Sequence, residues 1–295
     1  MDFSVIVPSY NRPDAVRRCL AGLAAQDYAG PFEVIVVDDG SPRPVAPLVE
    51  DFRAALALEV LRQENRGPAA ARNLGAARAR GRYLAFTDDD CVPRKGWLTA
   101  FAAGLAETPG VLLGGHTVNA LKENLYSQTC QMLVDYLYEA FQGHTSGIRF
   151  FSSNNFALER EAFPRLGGFN ESFHCGGEDR DLCDRWQSMG GAMRQDARAR
   201  VDHYHRLTFG GYCELHFRYG RGAYAYRRAR AGREQAPLRV EPLRFYLDMF
   251  RYPFRTSRQS WLSVSALLLI SQVSHTAGFF AARGRASSTP LAKGR

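Results

Sequence analysis

Four short apolar runs, each closed by a polar cluster, constrain this chain more than any other feature. Phe3–Val7, Glu33–Val37, Leu58–Arg62 and Arg82–Thr87 are strand-length, and a fifth such run covers Val111–Gly115. Between them the periodicity is helical. Pro13 opens a segment in which Val16, Cys19, Leu20 and Leu23 recur at helical spacing, with Asn11 near its cap. Pro68–Arg80 reads as an Ala-rich helix stopped by Gly81. Strands alternating with helices imply right-handed βαβ units, hence an α/β fold whose mostly parallel central sheet is flanked by helices. Past Asn119 the rhythm loosens into a helix over Leu121–Phe141, a strand over Phe150–Leu158 and a helix opening at Gly177.

Ligands of such sheets bind beyond the carboxyl ends of the strands. PSYN after the first strand, DDGS after the second and DDD after the fourth all fall at that edge. Adjacent carboxylates repel by roughly 1 to 4 kcal/mol per pair, so Asp88, Asp89 and Asp90 need a counter-charge. A hard divalent cation, Mn²⁺ or Mg²⁺, suits oxygen ligands of this kind and a substrate phosphate. The chain has no G-x-G-x-x-G after its first strand and no G-x-x-x-x-G-K-[ST], so phosphates must be neutralised without a glycine-rich loop. On this reading the repulsion is relieved only with cation and donor bound, and the metal-free loop is expected to be mobile. Asp39, before Gly40 and Ser41, reads either as part of a turn or as an acceptor for a ribose hydroxyl or a base N–H.

Charge and apolarity are unevenly spread over the 295 residues. The net charge is +8, with Arg dense between Arg194 and Arg233. No RNP, KH or helix-turn-helix pattern accompanies it, which argues against a nucleic-acid partner and leaves anionic lipid headgroups or an anionic acceptor. Cys19, Cys91, Cys130, Cys175, Cys183 and Cys213 lie far apart, which fits a reducing compartment better than a disulfide or zinc framework. The N-terminal MDFSVIVPSYN lacks the basic n-region of a secretory signal, and Asn170-Glu171-Ser172 is read as a chance glycosylation triplet. Gln259–Ala282 is uncharged and long enough to span a bilayer. Its Ser263, Ser265, Ser271, Gln272, Ser274, His275 and Thr276 favour a segment lying at an interface or docked on the protein over a true span.

VIVPSYNRP (Val5–Pro13), EVIVVDDGS (Glu33–Ser41), NRGPAAARNLGAA (Asn65–Ala77), YLAFTDDDCVP (Tyr83–Pro93), GGFNESF (Gly167–Phe173) and GGEDRDLCDR (Gly176–Arg185) resemble, in order and spacing, the family 2 glycosyltransferases of GT-A fold. The resemblance covers about residues 3 to 206. It implies a GT-A domain over 1–208, with a nucleotide-binding half to about 115 and an acceptor half beyond. A basic, helical, membrane-associated region follows over 209–295. It further implies inverting transfer from a nucleotide-diphosphate sugar to a hydroxyl of a glycan or lipid-linked acceptor, at the cytoplasmic face of a membrane. Pro8, Ser9, Tyr10 and Asn11 would line the base pocket, Asp39 would accept from the base, and Arg72 and Asn73 would face the nucleotide. Asp88 would turn to the ribose, Asp90 to the metal, and Asp89 would position its neighbours. Asp179 would be the general base, with Glu178 the alternative. Arg185 matches a basic position after that pair, and Asn154 and Asn155 match a polar pair before the Gly-Gly-Phe loop that would hydrogen-bond donor sugar or acceptor. His203 and His205 are separated by two, so a strand would turn both to one side; one of them would complete the metal shell. A catalytically idle scaffold that keeps the nucleotide pocket is the competing reading, against which all the acidic motifs are intact.

Overall fold

The computed structural model describes residues 1–142, 150–233, 241–256 and 261–288. All seven residues of β1 (Phe3–Ser9) are buried, as expected for a parallel strand covered on both faces. Pro13 sits in the first turn of α1 (Pro13–Ala24), whose cap is Arg12 rather than Asn11, and the helix buries Ala15, Val16, Cys19, Leu20 and Leu23 along one face. β2 (Phe32–Asp38), β3 (Leu58–Arg62), α2 (Pro68–Arg78) and β4 (Tyr83–Thr87) follow as the apolar runs predict. Then come β5 (Cys91–Pro93), α3 (Trp97–Glu107), β6 (Leu112–Asn119) and α4 (Leu125–Gln142). β7 is confined to Asn155–Glu159, so the strand expected from Phe150 starts five residues late. α5 (Ala162–Leu166), α6 (Glu178–Ser188), β8 (Met193–His203), α7 (Phe209–Gly232), α8 (Leu243–Thr256) and α9 (Trp261–Ser288) complete the order.

The sheet runs β3-β2-β1-β4-β7-β6-β8-β5. Its first four strands are parallel, with Ser9 level with Asp38, so the first two polar clusters emerge side by side. β7 is antiparallel to both β4 and β6, and β8 runs parallel to β6. The three-residue β5 pairs antiparallel with the end of β8 and sets Cys91 opposite His203. Thus the residue after the three aspartates is pinned by main-chain hydrogen bonds next to the His pair.

Phe3, Val5, Val7, Val16, Leu20, Leu23, Val34, Val36, Trp97 and Phe101 belong to one core cluster on one side of this sheet. Each such side chain is worth about 1.5–3 kcal/mol on burial. Phe86 packs within 5.2–5.5 Å of Phe156, Phe163 and Phe169, ring centre to ring centre, which ties β4 to the GGFNESF loop.

Within the described residues the chain divides into two compact units, one made of 1–120, 150–172 and 179–205, the other of 121–142, 173–178 and 206–288. In the second unit α7 and α9 meet backbone to backbone. A Cβ on Gly220 would lie 1.9 Å from the His275 carbonyl oxygen, and one on Gly278 1.9 Å from that of Phe217. Met132, Val264 and Leu268 form one small core there and Leu207, Tyr212 and Leu267 another. Trp261–Gly284 of α9 is, by length and composition, apolar enough to cross a membrane, with mean hydropathy 1.4. Gln259 and Ser260 of the expected uncharged segment lie outside the described residues.

Candidate active site

The three aspartates that leave β4 are surrounded by cations of the chain itself. Arg72 Nη2 donates to Asp88 Oδ1 at 2.6 Å, and its guanidinium lies 5.4 Å above the Phe169 ring. Arg12 Nη1 donates to Asp89 Oδ1 at 3.2 Å and to Asp90 Oδ2 at 2.8 Å. Ser9 Oγ donates to Asp89 Oδ2 at 2.8 Å, and His203 Nε2 is 3.4 Å from Asp90 Oδ1. Two arginines and a histidine of the chain itself therefore lie against the three carboxylates and offset part of their mutual repulsion.

These neighbours sort the carboxyls electrostatically. Burial, then the charge of Asp90, pushes the Asp89 carboxyl up to about 7 against the pull of Arg12 and Ser9. Burial acts in the same upward direction on Asp90, but His203 and Arg12 outweigh it and hold that carboxyl well below the usual range. Burial would lower His203, yet its bond to Asp90 raises it on balance. Burial and the charge of His203 bring His205 down to about 4. The two imidazoles stack, ring centres 5.2 Å apart, although only His203 lies in β8. Asp90, Cys91 and His203 bring one ligand atom each within 4.8 Å of one another. Burial, then the neighbouring aspartates, pushes the Cys91 thiol up, and a soft sulfur donor is in any case ill matched to a hard cation. The donor set that fits a divalent ion is thus the carboxylate of Asp90 with the imidazole of His203, and the imidazole suits Mn²⁺ better than Mg²⁺.

The other acidic strand end is built differently. Asp38 Oδ1 accepts the Ser41 N–H at 2.8 Å, and its Oδ2 accepts the Val45 N–H at 3.1 Å and Arg62 Nη1 at 2.7 Å. Asp39 Oδ1 accepts Gln63 Nε2 at 2.7 Å and the Arg66 N–H at 2.9 Å, while Oδ2 accepts the Gly67 N–H at 2.8 Å. Asp39 thereby fixes the turn that opens α2. Pro8 is buried within β1, Tyr10 is exposed, and Asn11 has φ of 54° with its N–H on Ser41 Oγ at 2.9 Å.

Several expected contact residues are used by the protein itself. The Asn73 amide oxygen accepts the Phe169 N–H at 2.8 Å, and its NH₂ donates to Phe169 O at 2.8 Å and Glu171 at 3.0 Å. Arg185 donates to Asp181 at 2.8 Å, to the Gly168 carbonyl at 2.8 Å and to the Leu166 carbonyl. Both side chains hold the GGFNESF loop against α2 and α6. Asn154 Oδ1 accepts Thr117 Oγ1 at 3.2 Å, and its neighbour Asn155 bridges Trp97 Nε1 and the Ala199 carbonyl. Glu178 is buried at the start of α6, whereas Asp179 is only partly covered and its Oδ1 accepts the Arg180 N–H at 2.7 Å. The two glycines before them have φ of 91° and 98°, open to glycine at little cost.

The structure thus brings together Ser9, Arg72, Asp88, Asp89, Asp90, His203 and His205, and it adds Arg12, which the sequence reading passed over. The available signal was its position: the first residue beyond PSYN at the carboxyl end of β1, from which a side chain as long as arginine's reaches the neighbouring DDD cluster.

Residues 4–167 match the model of glycosyl transferase family 2, and residues 137–208 that described as the N-terminal domain of galactosyltransferase. The pre-mycofactocin glycosyltransferase of Mycobacterium tuberculosis is 32% identical over 220 residues, covering 70% of this chain and 43% of that protein. The chondroitin synthase of Escherichia coli is 30% identical over 231 residues, covering 64% and 34%. The chain therefore spans less than half the length of these relatives. In fold it is similar to a mannosyltransferase from Pyrobaculum calidifontis in complex with GDP-Man and Mn²⁺, with a TM-score of 0.61, 22% identity, and coverage of 98% of this chain and 76% of that one. S. aureus TarS 1-349 in complex with UDP-GlcNAc gives a TM-score of 0.54 at 18% identity, covering 99% and 93%. With the family model spanning more than half its length and these GT-A neighbours in fold, the chain belongs to glycosyltransferase family 2.

Proposed function

We propose that this chain transfers a glycosyl group, with inversion, from a nucleotide-diphosphate sugar to a hydroxyl of a glycan or lipid-linked acceptor. The observation that carries the reading is the convergence of Asp88, Asp89, Asp90 and His203 at the carboxyl edge of β4 and the end of β8, where Asp90 and His203 offer an oxygen and a nitrogen to one cation. Mn²⁺ in the Pyrobaculum mannosyltransferase and nucleotide sugars in it and in TarS support the same reading. A bound divalent cation supplies charge neutralisation for the departing diphosphate, so no general acid is required. Arg72 and Asp88 are the pair nearest in kind to the ribose and diphosphate, and Asp39, with its carboxylate fixed by three N–H groups, is the acceptor for a base. Asp179 takes the proton of the acceptor hydroxyl as that oxygen attacks the anomeric carbon and the bond to the diphosphate oxygen breaks on the opposite face. Its partial exposure favours it over the buried Glu178.

A cytoplasmic membrane surface is the partner proposed for the second unit. Leu243, Leu247 and Phe254 recur on one stripe of α8 and are exposed, with Arg244, Arg251 and Arg255 beside them; Leu262, Leu269, Val273 and Phe280 form a comparable exposed stripe on α9.

The deciding experiment combines a thermal-shift panel of UDP, GDP and TDP sugars, with and without Mn²⁺, and a transfer assay on Asp179→Asn with the donor so identified. Expected are a Mn²⁺-dependent shift with one nucleotide class and a loss of about 10²–10⁴ in rate in the variant with nucleotide binding retained. Transfer at the wild-type rate would refute Asp179 as the base.

A further inference from the structure

Arg12 is the arginine of the carboxylate cluster to which the proposed reaction gives no task. It closes the loop after β1, caps α1 and is followed by Pro13, so its backbone is fixed while its side chain extends along the surface to the aspartates. Of the three cationic partners of the aspartates it is the one exposed to solvent. The Arg72 side chain is 4% exposed and wedged between Asp88 and the Phe169 ring. His203 is held in β8, opposite Cys91. The Arg12 side chain is 54% exposed and reaches Asp89 and Asp90 through a single nitrogen, Nη1. A guanidinium offers five donors in a planar fork, and no hydrogen bond of Nε or Nη2 is needed for this contact.

Two further facts set what that arrangement does. Arg12 Nη1 lies 2.8 Å from Asp90 Oδ2, on the carboxylate that is also the oxygen donor of the candidate cation site. A divalent cation arriving there meets a positive charge already bound to its ligand. The fork geometry of arginine matches a phosphate better than it matches two carboxylates shared through one nitrogen. A diphosphate brought to the same sheet edge therefore gives Arg12 somewhere better to go.

Resting on the reading above, we propose that Arg12, parked on Asp89 and Asp90, exchanges these carboxylates for the diphosphate of the donor, which releases Asp90 to the cation. Donor and cation then load together, each favouring the other by the same factor, as linkage requires. The three carboxylates are never left without a counter-charge, and free cation is kept from filling the site ahead of the nucleotide.

The test follows free Mn²⁺ by electron paramagnetic resonance as the full chain is titrated, without nucleotide, in the wild type, Arg12→Ala, Arg12→Gln and Asp90→Asn. Removing the parked charge should tighten Mn²⁺ binding about fivefold to tenfold in both Arg12 variants, and Asp90→Asn should lose it. A second arm, in EDTA, compares the nucleoside diphosphate of the class found in the thermal-shift panel with its monophosphate. The wild type should prefer the diphosphate, and both Arg12 variants should lose most of that preference. Arg12→Gln keeps a polar, hydrogen-bonding side chain without the charge and guards against a folding defect in Arg12→Ala. Unchanged or weaker Mn²⁺ binding in the Arg12 variants, or an undiminished diphosphate preference, overturns the proposal. If Asp90→Asn binds Mn²⁺ like the wild type, the cation site is wrong, and the EDTA arm alone then decides the role of Arg12.

Discussion

β2 and β4 both end in consecutive aspartates at the same edge of the same sheet, yet the two ends are made for different things. Asp38 and Asp39 accept from the main-chain N–H groups of Ser41, Val45, Arg66 and Gly67, all within the loops that follow their own strand and β3. Asp88, Asp89 and Asp90 are satisfied by side chains: Arg72, Arg12, Ser9 and His203. A carboxylate bonded to the backbone of its own turn cannot be released without unfolding the turn. One bonded to a swinging guanidinium can exchange partners at the cost of a rotamer. The first pair is bonded into its loops, and in the second the exposed Arg12 is the partner that the proposal above makes exchangeable.

The contrast breaks most readily in stability measurements. Asp38 is buried and holds three donors, one of them the Arg62 guanidinium. Asp38→Asn leaves part of that set without an acceptor and should cost about 2–4 kcal/mol of unfolding free energy. Asp90→Asn in the metal-free protein loses the bonds of Arg12 and His203 to a charged carboxylate but leaves no main-chain N–H of the loop without its acceptor, and should cost less than Asp38→Asn. Urea titrations in EDTA measure both. Equal losses would mean that the DDD cluster is scaffold too.

A pH profile sharpens the same point at the opposite end of β2. Glu33 is buried and accepts Ser4 Oγ at 2.6 Å, the Arg80 N–H at 2.8 Å and the Arg80 guanidinium at 2.5–2.8 Å. Burial alone would push its carboxyl up, but the bonds from Arg80 and Ser4 outweigh it and hold it below its ordinary value of 4.5. A depressed carboxyl stabilises the folded state above its unfolded pKa, and that contribution is lost as the pH falls from about 4.5 through the folded value. Stability should therefore fall on acidification in this window, and Glu33→Gln should be less stable at pH 7 with a shallower slope below 4.5. An identical slope in the variant would assign the acid sensitivity elsewhere.

What the sequence disclosed follows the physics of burial. The parallel half was legible because β1, β2 and β4 are covered on both faces and so read as continuous apolar runs. β8 was not: MRQDARARVDH buries only Asp196, Ala199 and Val201, and the Arg residues between them disguise the strand. β5 has three residues, too few for any periodicity, although it is what pins Asp90 beside His203. The acidic motifs were legible as a pattern, but their partners were not. Nothing in the spacing of Asn73 or Arg185 tells a substrate contact from a latch on the Phe169 loop, since both need a polar side chain at that point.

Asn11 links the two acidic ends and gives the finest test of the comparison. Its N–H bonds Ser41 in the DDGS loop, while its neighbours Ser9 and Arg12 bond Asp89 in the DDD loop. Among the described residues it is the one non-glycine residue with positive φ, at 54°. Asparagine tolerates that conformation better than residues with an ordinary Cβ, so its backbone alone explains the residue type. Asn11→Gly should then fold with nearly unchanged stability, and Asn11→Ala should lose about 1 kcal/mol. If the side chain instead reads the base, both variants will weaken nucleotide binding alike whatever their stability. Calorimetric affinities for the diphosphate beside the two melting temperatures separate the roles: a glycine variant that binds like the wild type makes Asn11 a hinge between the loops, and one that binds severalfold more weakly makes it a wall of the pocket.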